Sequence, residues 1–118
     1  MYDPNAATMR RYLDQLVEGG DFTDIPMRGD MRFTGPLASS TTAVEYRSIC
    51  EGFADAVRAL SVRTMVGNDD VVHVVYDVDM GLAGGPLPTS QTVEFVDGAF
   101  STVEVIFDAA AAIVGAAS

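Results

Sequence analysis

The chain has 118 residues, is 48% hydrophobic and 20% charged, and carries a net charge of −10. Those values describe a single globular domain, 1–118, large enough to bury a core. The negative balance argues against nucleic acid and anionic membranes as partners, because both are bound through cations. All seven basic residues are arginine, and the single cysteine, Cys50, allows no internal disulfide. No apolar run reaches the roughly 18 residues that span a bilayer, and the N-terminus lacks the basic-then-apolar layout of a signal peptide. A cytoplasmic chain is the expectation.

Asp3-Pro4 reads as a helix start: a side-chain acceptor, then a proline whose missing N–H costs nothing there. Met9, Tyr12, Leu13, Leu16 and Val17 recur at three-four spacing, and Gly19-Gly20 ends the helix. Asp21 to Gly29 is a connector in which Thr23 or Asp24 caps one short helical turn. Asp30 to Gly35 is a short strand, ended by Pro36. Ser39-Ser40-Thr41-Thr42 opens a second long helix, with Thr42 and Glu45 at capping-box spacing. Its apolar stripe is Tyr46, Ile49, Cys50, Phe53, Val57 and Leu60.

Ser61 to Gly67 is a strand, Asn68-Asp69-Asp70 a turn, and the run from Val71 to Met80 the most β-rich stretch of the chain. Gly81 to Pro88 holds three glycines and two prolines and is expected to flank a pocket mouth as a mobile lid. Thr89 to Val96 and Ala99 to Phe107 are strands joined at Asp97-Gly98, a strong hairpin signal. Asp108 to Ser118 is alanine-rich and reads as a loose helix or an extended flap. Helices early and strands late make an α+β fold: a curved antiparallel sheet wrapped around the N-terminal helices as a cone with an apolar mouth.

This order resembles the nuclear-transport-factor-two-like fold, and within it the SnoaL-like and ketosteroid-isomerase-like members, over roughly residues 6 to 108. The residues that carry the resemblance are Met9-Arg10-Arg11-Tyr12-Leu13 with Gly20-Asp21, Phe33-Thr34-Gly35-Pro36-Leu37, Asp97-Gly98, and Val105-Ile106-Phe107-Asp108. The resemblance implies a homodimer packed through the sheet face and a small hydrophobic molecule in the cone. It also implies an isomerase, cyclase or dehydratase acting by acid/base chemistry on a polyketide- or terpene-like compound. A non-catalytic ligand-binding or accessory module of the same fold is the alternative.

Carried over by residue, the isomerase pattern keeps Tyr12, the first-helix tyrosine. Its base, an Asp before Pro, is Gly35 here, and its oxyanion acid falls among Ser90, Gln91 and Thr92. The limonene-epoxide-hydrolase pattern keeps only Asp79: its Arg is Asp77, its second acid is Val105, and its Tyr and Asn are Phe33 and Gly35. The resemblance thus implies Asp79, Tyr12 and Asp77 as catalytic candidates. Leu16, Phe33, Gly35, Phe53, Val93, Phe95, Val103, Val105 and Phe107 are the expected pocket lining.

Two readings of Asp77 and Asp79 remain open. They share one strand face, about 6–7 Å apart. If that face lines a dry cone, mutual repulsion would raise one pKa and poise an acid. If Val72, Val74, Tyr76 and Val78 face the core instead, both acids meet solvent. His73 lies on the same side but about 20 Å from Asp79 along the strand, and reads as a surface or interface residue. One histidine without cysteine partners makes no zinc site, and neither metal nor cofactor is expected. Cys50 sits on the buried helix stripe and reads as packing.

Overall fold

The computed structural model describes residues 3–68 and 70–111. The first helix, α1 (Pro4–Glu18), starts where the carboxylate of Asp3 accepts the N–H groups of Asn5 and Ala6, at 3.0 and 3.3 Å. It ends at Gly19, whose φ of +80° suits a residue without Cβ. The inward face carries Met9, Tyr12, Leu13 and Leu16.

The connector that follows forms no helical turn. Asp21 accepts both the N–H and the hydroxyl of Thr23, at 3.1 and 2.7 Å, and Phe22 turns to φ +61°. The guanidinium of Arg47, reaching from the second helix, donates to the carbonyls of Phe22 and Ile25 at 3.2 and 3.0 Å. The Phe22 carbonyl also accepts the Ile25 N–H at 3.2 Å, so the segment closes as a single tight turn braced from outside by Arg47. Phe22 and Ile25 are fully buried beside it.

Strand β1 (Met27–Thr34) begins earlier than Asp30, and Ser39-Ser40 pairs back on it as the short strand β2 (Ser39–Ser40) instead of opening a helix. Helix α2 (Ala43–Ala56) starts at Thr42, whose hydroxyl accepts the N–H of Glu45 at 3.1 Å and donates to its carboxylate at 3.0 Å. Its buried face is Ala43, Tyr46, Cys50 and Ala54, with Ile49 and Phe53 half-buried; Val57 and Leu60 lie beyond its end.

Strands β3 (Ala59–Gly67), β4 (Val71–Asp79), β5 (Leu87–Val96) and β6 (Ala99–Ile106) form an antiparallel meander. The β5–β6 turn is Asp97-Gly98, with φ of +52° and +78°; positive φ at both central residues matches the right-handed twist of a hairpin. The sheet order is β2-β1-β6-β5-β4-β3. β1 runs parallel to β6, so the sheet is mixed and not wholly antiparallel. The chain returns to β1 only after α2 and the whole meander, and that long path allows a parallel pair. Both helices pack on one face of the curved sheet, and the core lies between the layers. Residues 109–111 begin a helical turn capped by Asp108; the rest of the alanine-rich tail and Asp69 lie outside the described residues. Among the described residues no helix is long and apolar enough to cross a membrane.

These contacts rank two substitutions. Thr42→Ala removes one helix cap and should cost about 1 kcal/mol. Arg47→Ala removes two charge-assisted bonds and should cost about 2 kcal/mol or more. Urea titrations of both variants should give that order with an unchanged slope; equal losses would mean that Arg47 does not hold the connector.

Candidate functional site: an apolar cavity with a phenol cluster

The side chains of β4 divide by parity. Val72, Val74, Tyr76 and Val78 are buried, while His73 is exposed and Asp77 and Asp79 are half-buried on the opposite face. Asp77 meets Arg63 there through two bonds of 2.7 Å. Arg63 stands at a bulge in β3, between Val62, which pairs with Tyr76, and Thr64, which pairs with Val75. The extra residue aims the guanidinium across the strand at Asp77. Asp79 accepts the N–H of Gly81 at 2.9 Å and shapes the start of the following loop.

On the inner face the helices and sheet enclose a cavity of about 220 Å³. Tyr12 from α1 and Tyr46, Ile49, Cys50 and Phe53 from α2 form one wall. Tyr76, Met80, Gln91, Val105 and Phe107 form the sheet side. The β1–β2 turn, residues 35–38, closes part of the rim, held by a 2.9 Å bond from the Gly35 N–H to the Ala38 carbonyl. Phe33 completes the wall, its ring centroid 4.8 Å from that of Tyr46. Asp77 and Asp79 are not on this wall.

Five polar side chains gather at one side of the cavity. The Tyr12 and Tyr46 hydroxyls are 2.8 Å apart, and Tyr12 Oη lies 3.8 Å from Cys50 Sγ. Tyr76 donates to Gln91 Oε1 at 2.9 Å, and Gln91 Nε2 points at Tyr46 Oη at 3.5 Å. One proton of the Tyr12–Tyr46 pair closes their mutual bond. The other is not used in that bond; when Tyr46 is the donor, it is the Tyr12 proton, whose nearest acceptor is the Cys50 sulfur, a weak one. The cluster can therefore donate a hydrogen bond to an oxygen placed in the cavity.

Burial keeps these groups neutral. Desolvation pushes the phenols of Tyr12, Tyr46 and Tyr76 above the ordinary range. It raises the Cys50 thiol from 9.0 to about 11, against the opposing pull of its bonds to Tyr46 and Tyr12. A thiol so placed is a poor nucleophile at neutral pH.

Of the residues expected to line a pocket, Phe33, Gly35, Phe53, Val105 and Phe107 meet at this cavity together with Tyr12. Leu16, Val93, Phe95 and Val103 do not reach it: they are packed in the core. Deep positions of a wedge-shaped core fill with side chains and leave space only toward the mouth. Of Ser90, Gln91 and Thr92, Gln91 alone points inward; Thr92 bonds His73 on the outer face at 2.8 Å. Tyr46 and Tyr76 were not legible as site residues. A hint was available for Gln91, an amide on the buried parity of β5 between Thr89 and Val93. The expected loop from Gly81 to Pro88 ends two residues early, because Leu87 and Pro88 already pair with β4, and none of its residues borders this cavity. Leu82 and residues 84–88 border a second hollow of about 540 Å³, beside Val75, Ser90 and Ile106 on the outer face. Among the described residues no group of three or more His, Cys, Asp or Glu could hold a metal ion.

The raised Cys50 thiol gives a pH signature. Between about pH 9 and 11 the unfolded chain loses this proton while the folded chain keeps it, so stability falls as pH rises, by about 1.4 kcal/mol per unit. Urea midpoints should be flat near pH 7–8 and decline above about 9. In Cys50→Ala the decline should begin only where the tyrosines start to titrate in the unfolded chain, near pH 10. An unchanged onset in that variant would remove Cys50 as its source.

No protein-family model matches the chain, and no curated protein matches it significantly. Solved structures do. An NTF2-like protein of unknown function from Cytophaga hutchinsonii superposes with a TM-score of 0.77 at 16% identity, over 96% of this chain and 97% of that one. TerC, co-crystallised with polyporic acid, gives 0.80 at 15% identity, over 98% of this chain and 100% of its own. A candidate isomerase of the SnoaL-like family from Agrobacterium tumefaciens gives 0.70 at 12% identity, over 89% and 97%. The chain shares its fold with these structures, among them proteins described as NTF2-like and as SnoaL-like.

Proposed function

We propose that the protein is a binding module for a small, largely apolar molecule that carries an oxygen acceptor. The apolar part would fill the 220 Å³ cavity and the oxygen would take the free proton of the Tyr12–Tyr46 pair. The observation that carries this reading is the chemistry of the wall. Every polar group on it is a phenol, an amide or a thiol, and all are uncharged at neutral pH. A molecule held there meets directional donors but no carboxylate or imidazole to take up a proton.

The volume fits the reading. A cavity of about 150 Å³ is enough for benzene, so this one accommodates a ring with a short substituent. The acid/base reading implied by the resemblance has less support. Asp77 is engaged by Arg63 and Asp79 by Gly81, both on the other side of β4. Gly35 stands where the isomerases have a base, and the space is taken: a Cβ there would lie 2.9 Å from Phe33 Cζ. The co-crystallisation of TerC with polyporic acid is in keeping with small-molecule binding by this fold.

Calorimetry with acetophenone tests the proposal, since it offers one ring and one carbonyl. Tyr12→Phe should weaken binding by about 2- to 10-fold, the worth of one neutral hydrogen bond. Asp77→Asn and Asp79→Asn should leave it unchanged. Loss of affinity in Asp79→Asn, with Tyr12→Phe unaffected, would move the binding site to the other face of β4 and refute the assignment.

A further inference from the structure

The cavity and the outer hollow share one residue, Phe107. The last pair of the β5–β6 ladder is Ser90 with Ile106, so Phe107 lies one residue beyond the strand. Phe107 is half-buried and lines both spaces, the cavity together with Met80 and Val105 and the hollow together with Leu87 and Ile106. We infer that Phe107 is the partition between the two spaces and sets the length of molecule the protein accepts. This rests on the binding function proposed above and adds the shape of the ligand: a polar ring end in the cavity and an apolar tail directed past Phe107 into the hollow.

Three observations support the continuation. At about 220 Å³ the cavity is smaller than the roughly 300–1,000 Å³ usual for pockets that hold drug-sized ligands, whereas the hollow, at about 540 Å³, falls within that range. The hollow is walled mainly by apolar groups: Val75, Leu82, Leu87, Pro86, Pro88 and Ile106. Ile106 is 58% exposed, so a tail laid along it would remove apolar surface from water. Opposite the sheet the wall is loop, with Gly85 at φ +87° and a single turn bond, 3.0 Å from its N–H to the Leu82 carbonyl. The β5–β6 ladder ends at Ser90 and Ile106, and loop residues 82–86 belong to no strand. A rotation of one ring therefore needs no break in the sheet.

A series of 4-alkylphenols, from 4-methylphenol to 4-nonylphenol, tests this with the intact protein and its Phe107→Ala and Phe107→Leu variants. Each methylene that finds apolar surface tightens binding about fourfold. In the wild type, affinity should climb over the first methylenes, stall where the tail meets the Phe107 ring, and climb again for tails long enough to displace it. Phe107→Ala should remove the stall, so that affinity rises without a break, and Phe107→Leu should fall between. Circular dichroism of the variants checks that the fold is kept. Short phenols that bind while all three proteins show the same length profile would overturn the partition and leave the binding function standing. No binding of any phenol by the wild type would remove both. A second copy of the chain packed over the outer sheet face would cover the hollow; the long tails would then gain nothing in any variant, and native mass spectrometry would show a dimer, which also overturns the inference.

Discussion

Tyr76 and Asp77 are adjacent in the chain and stand on opposite sides of one sheet. The strictness of that alternation decides most of what the molecule can do. Two helices cover one face only, so each strand must turn one parity of side chains inward. On β4 the inward set is Val72, Val74, Tyr76 and Val78, and shifting it by one residue would bury Asp77 and Asp79 without partners. An unpaired buried carboxylate costs far more than the packing such a shift could return. The pairing of Asp77 with Arg63 confirms the outward side as a place where charge is met by charge. Candidates for acid/base chemistry were thus assigned to the outer face by the apolar residues between them.

The same constraint explains why polar groups do collect inside, and why they are phenols and an amide. A hydroxyl or an amide can be buried when its bonds are made within the core. Tyr12, Tyr46, Tyr76 and Gln91 come from two helices and two strands, and each closes a bond with another member of the set. Their rings also do the work of large apolar side chains: Tyr12 and Tyr46 lie nearly parallel at 6.4 Å, and Tyr12 packs at 5.4 Å on Phe100. The cluster belongs to the packing and to the site at once. A ligand that uses it meets donors already oriented by the fold.

Local signals were the legible ones. Asp3-Pro4, Thr42 with Glu45, and Asp97-Gly98 each state a backbone geometry within four residues, and each appears in the structure as a cap or a turn. The alternation of β4 was legible for the same reason, although the resemblance and the alternation pointed to opposite faces for Asp77 and Asp79. What depended on distant residues was not. Nothing near Met27 announces a parallel pairing with β6, some seventy residues on. Nothing near Thr23 announces that Arg47 will brace the connector's carbonyls from outside. The lining of the cavity falls between these cases. Apolar residues of the correct parity could be named, but whether a given one meets a cavity or solid core depends on how far the sheet diverges from the helices. Leu16 and Val93 are packed solid in the core; Phe33 and Phe107 border the cavity.

Position 35 shows how far one such detail reaches. A glycine there leaves room that an acid would occupy, and on sequence alone it reads as a missing base. In the folded chain the room is not vacant. The Phe33 ring folds back beneath Gly35 and packs on Tyr46, so even a methyl group would press on Cζ. Restoring an acid would require the tip of the Phe33 ring to shift, and that ring packs on Tyr46, the partner of the Tyr12 hydroxyl. A side chain at position 35 and the ring that packs on Tyr46 thus compete for the same space. The cavity wall thus offers phenol hydroxyls and flat aromatic faces, with no carboxylate or imidazole among the side chains that line it.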